Sequence, residues 1–95
     1  MSQRIYRYEV PVDDRWHIFT CEPPLWVGCR NHGFVEFWAY PAQETGDSGI
    51  TDAQHLRVYG TGHEMPDELR HVGSTMTPDG ALVWHLMADP WKVAQ

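Results

Sequence analysis

Lysine is nearly missing from this chain: Lys92 is the only one, and arginines bring the basic total to seven against thirteen Asp and Glu. The resulting charge of −6 opposes the phosphate neutralisation that drives nucleic-acid binding, so nucleic acid is not an expected partner. The carboxylates are scattered in pairs such as Asp13-Asp14 and Asp67-Glu68 rather than in the long rows of a nucleic-acid mimic, which fits a solvated surface. No window approaches the roughly 18 consecutive apolar residues of a membrane span. The start, MSQRIYRYEV, carries charge and alternation where a signal peptide needs an unbroken apolar stretch. A cytoplasmic protein without a membrane partner is expected.

Cysteine is also scarce. Cys21 and Cys29, separated by seven residues around Pro23-Pro24, match neither a zinc C-x-x-C pair nor a redox motif. Two reduced thiols are expected. If Pro23-Pro24 turns the chain back on itself, Cys21 faces Trp26 rather than Cys29.

Helical periodicity is almost absent as well, because apolar residues recur at i, i+2 far more often than at i, i+3, i+4. The first strand reads from Arg4 to Val12, with Tyr6, Tyr8, Val10 and Val12 on one face and Ile5, Arg7 and Glu9 on the other. Pro11 cannot donate to a ladder, which puts this end at a sheet edge or at the end of pairing. After a turn at Asp13-Asp14-Arg15, Trp16–Cys21 and Leu25–Arg30 resume extended structure, and Asn31-His32-Gly33 suits positive φ. Phe34–Tyr40, nearly all aromatic or β-branched apart from Glu36 and Ala39, reads as a central strand covered on both faces. The polar stretch 41–54 reads as a flexible loop or a solvated hairpin extension.

His55–Tyr59 forms a further strand, ended by Gly60-Thr61-Gly62. Met65–Leu69, with Pro66 and two carboxylates, has room for one helical turn. Thr77-Pro78-Asp79-Gly80-Ala81 suits a three-residue hairpin loop, a type I turn followed by glycine in αL. Pairing Thr77 with Ala81 sets Met76 against Leu82, Ser74 against Trp84 and Val72 against Leu86 on a core face. The other face then carries His71 against Met87, Gly73 against His85 and Thr75 against Val83. The bare backbone of Gly73 leaves room for the imidazole of His85 or a neighbouring ring to lie across it.

With 95 residues the chain makes one domain, 1–95. Five Trp, four Tyr and three Phe supply much of the apolar burial, so the core should be rich in aromatics. The fold class is all-β: a small antiparallel sandwich or barrel of six to seven short strands with at most one helical turn.

Sites of chemistry are thin. Gly60-Thr61-Gly62-His63 invites a phosphate-loop reading, but the chain has no GxxxxGK[ST] or GxGxxG context, so backbone geometry accounts for the glycines. His63-Glu64 begins like HExxH, yet position 67 is Asp where the motif needs histidine. His63, His71 and His85 are the candidate ligands of a metal or small molecule, should the strands bring them together. Hydrolytic chemistry would draw its nucleophile from Cys21, Cys29, Ser74 or Thr61, its base from His63 or His85, and its orienting carboxylate from Glu36 or Asp67. None sits in a recognisable elbow. No cofactor and no enzyme activity are expected. Apolar side chains on both faces of 34–40 and 81–87 predict a protein-facing surface, a homodimer included, involving Trp38, Val83, Met87 or Trp91.

The stretch GTGHEMPDELRHVGSTMTPDGALVWHLM, together with RIYRYEVPVDD at the start, resembles a family of small uncharacterised proteins from actinobacterial phages, prophages and their hosts. The likeness covers nearly the whole chain outside 41–54. Its members show a K/R-I-Y/W-K/R-Y start, an FWA-like strand, R-V-x-GTGH, VGT and LVWHL. Ser74 stands where threonine is usual. The family carries no catalytic residues to transfer. It implies a small accessory factor binding a host or phage protein. The residues themselves, and not the resemblance, mark the Gly60-Thr61-Gly62 turn with His63, and the Gly73 and His85 face, as further places to seek a ligand or partner.

Overall fold

The computed structural model describes residues 3–42, 44–45, 49–50 and 53–90. Its strands are β1 (Tyr6–Pro11), β2 (His17–Phe19), β3 (Trp26–Asn31), β4 (Phe34–Ala39), β5 (Glu44–Thr45), β6 (Gly49–Ile50), β7 (Gln54–Gly60), β8 (Arg70–Met76) and β9 (Val83–Ala88). Seven of them form two antiparallel sheets, β1-β4-β3 and β2-β7-β9-β8, stacked as a sandwich, and β5-β6 make a small separate pair. That pair, Glu44 with Ile50 and Thr45 with Gly49, lies within the polar stretch 41–54. Met65–Leu69 contributes a single turn, Leu69 N–H donating to Pro66 C=O at 3.4 Å, and among the described residues there is no helix.

Alternation decides which side chains meet in the middle. In the three-stranded sheet Val10 lies opposite Val35 and Tyr8 opposite Phe37, and these face Leu56, Val58, Leu86 and Ala88 of the other sheet. Tyr8 stacks on Phe37 at 4.9 Å, and Phe19 meets Phe37 edge-on at 5.2 Å. Such ring pairs add to the burial of their area. β4 is the central strand expected of Phe34–Tyr40, with β1 at one edge ending at Pro11. Its outer face is covered through Glu36, only 3% exposed. Arg7 Nη1 donates to Glu36 Oε2 at 2.9 Å, and Arg30 donates through Nε to Oε1 and Nη2 to Oε2, both at 2.9 Å.

Two sequence expectations are corrected. Pro23-Pro24 does not reverse the chain. Glu22 N–H donates to Tyr40 C=O and Leu25 N–H to Trp38 C=O, so the segment runs on beside β4. The prolines, having no N–H, simply drop out of the ladder. Cys21 therefore faces Pro41, and Trp26 faces Trp38. Neither cysteine is in a disulfide.

The second correction concerns the terminal hairpin. Gly80 sits at φ 74°, and its N–H donates to Thr77 C=O at 2.8 Å, as a type I turn followed by αL glycine requires. The pair that closes the loop, however, is Thr77 with Leu82, whose backbone is held by Thr77 N–H to Leu82 C=O at 2.9 Å and Leu82 N–H to Thr77 Oγ1 at 3.2 Å. The loop thus holds one residue more than expected. Ser74 comes opposite His85, Thr75 opposite Trp84 and Gly73 opposite Leu86. A β-bulge between His71 and Gly73 then restores His71 opposite Met87. Gly73 accordingly belongs to the core side, and Met76 and Leu82 are exposed rather than buried.

Candidate functional site

The shifted register assembles a cluster of side chains on the outer face of the four-stranded sheet. Ser74 on edge strand β8 and His85 on β9 are direct cross-strand partners, and Ser74 Oγ lies 2.7 Å from His85 Nδ1. His71, three residues before Ser74 across the bulge, brings Nε2 to 2.8 Å from the same Oγ. Without the bulge, His71 and Ser74 would point to opposite faces, because an odd separation along a regular strand changes face. The two imidazole centroids are 6.3 Å apart. On the far side of His85, Nε2 is 2.8 Å from Thr61 Oγ1, and the Thr61 hydroxyl reaches Val83 C=O at 3.4 Å.

Hydrogen-bond arithmetic orders this chain. A serine hydroxyl has one proton to donate, so it can serve only one of two imidazole lone pairs. With Thr61 donating to Val83 C=O, Thr61 Oγ1 accepts from His85 Nε2–H, Ser74 donates to His85 Nδ1, and His71 Nε2–H donates to Ser74. Each neutral ring then has a single consistent tautomer.

Beside Ser74 a groove of about 240 Å³ runs between β3 and β8, lined by Pro24, Leu25, Trp26, Val27, Val72, Gly73 and Ser74. Both strands are sheet edges. Val27 packs on the bare backbone of Gly73, where a Cβ would come within 2.6 Å of Val27 Cγ2. This contact, rather than an imidazole, occupies the space left by the missing side chain. Leu25 is 53% and Trp26 70% exposed on the rim. Trp38 is half-buried, its ring 3.3 Å from the position of a Cβ on Gly28.

A second hollow, about 380 Å³, is lined by Gly60, Thr61, His63, Ala81, Leu82, Val83 and Trp84. Gly62 forms its turn at φ 88°, and His63 N–H donates to Gly60 C=O at 3.1 Å. The His63 ring lies over Gly60 beside Trp84, with Cε1 3.1 Å from where a Cβ on Gly60 would be. Gly60 pairs with Trp84 and Tyr59 with His85, so His63 and His85 belong to opposite faces of the sheet. The three-histidine constellation is not assembled. Among the described residues no group of three or more His, Cys, Asp or Glu is arranged to hold a metal ion.

The hydrolytic candidates separate similarly. Ser74 meets His85, but the expected orienting carboxylates are elsewhere: Glu36 is held by two arginines on the other sheet, and Asp67 is in the exposed turn after Pro66. Burial pushes the Cys29 thiol up from its ordinary value, and its S–H donates to Asn31 C=O at 3.2 Å. Cys21 is wholly buried. Of the anticipated protein-facing residues, Val83 is on the surface. Met87, between Arg57 and His71 in its row, is only 6% exposed. Trp91 lies outside the described residues. Leu25 and Trp26 were not among the expected site residues. Their signal was an apolar pair directly after two prolines, a place where the ladder is interrupted.

The architecture and its surface define a small two-sheet antiparallel β domain with hydroxyl-linked histidines beside an edge groove. The chain belongs to a family described as a domain of unknown function, DUF7352, whose model matches residues 1–94. No curated protein and no solved structure matches it.

Proposed function

We propose that this domain is a protein-binding module whose groove between β3 and β8 takes an apolar segment of a partner protein. The observation that carries this reading is the exposure of Trp26, 70%, with Leu25 at 53% on the groove rim. A tryptophan left largely in water on the rim of a concave groove is the kind of residue that dominates binding energy once a partner covers it. The two sheet edges flanking the groove also supply backbone groups that an extended segment can pair with. The net charge of −6 makes nucleic acid and anionic lipid surfaces poor partners.

The resemblance to actinobacterial phage and prophage proteins supports a host or phage protein, in the host cytoplasm, as the partner. A second copy of this chain is the case in which sedimentation gives a dimer. Catalysis is outside this reading, since both ring nitrogens of His85 meet hydroxyls rather than a carboxylate. The test is affinity capture from host lysate with wild type, Trp26→Ala and His63→Ala, together with sedimentation of each. A protein retained by wild type and His63→Ala but lost with Trp26→Ala supports the groove. Equal capture by all three, or none by any with a monomer throughout, overturns it.

A further inference from the structure

We infer that His71 and His85 form a two-histidine site for a divalent transition-metal ion, with Ser74 at its centre. The site is distinct from the three-histidine arrangement that the sequence suggests and independent of the protein-binding groove reading. Nε2 of His71 and Nδ1 of His85 point at one spot, now the Ser74 hydroxyl, at 2.8 and 2.7 Å. Imidazole nitrogens bind zinc at about 2.0–2.1 Å, so small side-chain rotations let an ion replace the hydroxyl contact, with Ser74 Oγ beside it as an oxygen donor.

The surroundings of His85 favour this use. A ligating histidine characteristically donates its other ring N–H to a fixed acceptor, which sets the tautomer and aims the lone pair. Thr61 Oγ1, 2.8 Å from His85 Nε2 and itself directed at Val83 C=O, is such an acceptor, and it leaves Nδ1 bearing the lone pair toward Ser74. For His71, ion binding replaces the Nε2–H donation to Ser74: the exposed ring releases that proton to water and takes one on Nδ1 from water, which frees the Nε2 lone pair. The bulge between His71 and Gly73 brings these two rings to one face, so the site exists because of that irregularity. Two imidazoles and a hydroxyl leave coordination positions for water. Nitrogen ligands of this kind suit Cu²⁺, Ni²⁺ and Zn²⁺, with Cu²⁺ held most tightly, and not Mg²⁺ or Ca²⁺.

The experiment is a calorimetric titration of tag-free, chelator-treated full chain with Cu²⁺, repeated with Zn²⁺ and Mg²⁺. Saturable one-to-one binding of Cu²⁺ and weaker binding of Zn²⁺ are expected, with none for Mg²⁺. His71→Ala and His85→Ala should each weaken Cu²⁺ binding by more than about tenfold, whereas His63→Ala and His17→Ala should leave it unchanged. Far-UV circular dichroism checks that the variants fold. A measurement on wild type alone keeps the inference open to refutation: substoichiometric Cu²⁺ should broaden the ring resonances of His71 and His85 before those of the other four histidines. Absence of saturable Cu²⁺ binding, survival of binding in both single variants, or first broadening at His17 or His32 overturns it.

Discussion

Val27 of β3 sits directly on the backbone of Gly73 of β8, so close that a Cβ at position 73 would fall 2.6 Å from Val27 Cγ2 and 3.1 Å from its Cβ. The contact joins the edges of the two sheets and forms the floor of the groove. Gly73→Ala therefore forces Val27 or the bulge to move. Overpacking of this kind costs about 1–3 kcal/mol, read as a lower urea midpoint at unchanged m-value. Gly33→Ala, whose new carbon would meet Asn31 Oδ1 at an ordinary 3.5 Å, is the control and should change stability by less than about 0.5 kcal/mol. Equal stability of the two variants would contradict the account of the groove floor.

Glu36 is the one charged group in the outer layer of the three-stranded sheet that is almost fully covered, and it takes hydrogen bonds from Arg7 and Arg30. Glu36→Gln keeps the shape but removes the charge both guanidinium groups face. Hydrogen bonds to charged groups contribute about 1.5–3 kcal/mol, and a loss in that range is expected by denaturant unfolding. Arg7 is half exposed, so Arg7→Ala should cost less than about 1 kcal/mol. The reverse order would show that Glu36 is not the organising partner.

Asp79 gives the domain an acid dependence with a definite sign. The Thr77 hydroxyl, then Ala81 N–H, then His32 hold its carboxyl down from the ordinary 3.8 to about 2. A depressed carboxylate stabilises the fold above its unfolded value, and that stabilisation is lost as pH falls through the window from about 3.8 toward about 2. Asp13, lowered chiefly by its hydrogen bond with His17, acts in the same direction. Asp79→Asn should flatten the fall of stability across this window, measured by urea unfolding at stepped pH. An unchanged slope would remove Asp79 from the explanation.

Much of the fold was legible because alternation carries it. Val10 with Val35 and Tyr8 with Phe37 follow from period-two patterning in Tyr6–Pro11 and Phe34–Ala39. The site was not, and the reason is one residue. Glycine in αL at position 80 is compatible with a three-residue or a four-residue hairpin loop. A shift of one residue in register carries every side chain to the other face, which moved Gly73 inward and Ser74 out to His85. The bulge that puts His71 on the same face has no sequence mark beyond Gly73 itself. The groove was hidden for a different reason: it depends on β3 and β8, which lie in different sheets, and local patterning says nothing about which edges meet. Pro23-Pro24 misled similarly, since two residues without N–H fit an interrupted ladder as well as a turn.

Trp26 is expected to matter for binding and not for folding. With 70% of its surface in water, its removal exposes little new apolar area, so Trp26→Ala should change unfolding free energy by less than about 0.5 kcal/mol. A large destabilisation would mean that the ring supports the sheet instead of waiting for a partner.

The most direct test of the groove is site-specific photo-crosslinking in cells that express the protein, with a photoreactive phenylalanine analogue at position 26 and, separately, at Asp67 in the exposed turn. The account predicts one dominant protein adduct from position 26, either another protein or a second copy of this chain, that is absent from position 67. The same adducts from both positions, or none from position 26, would contradict it.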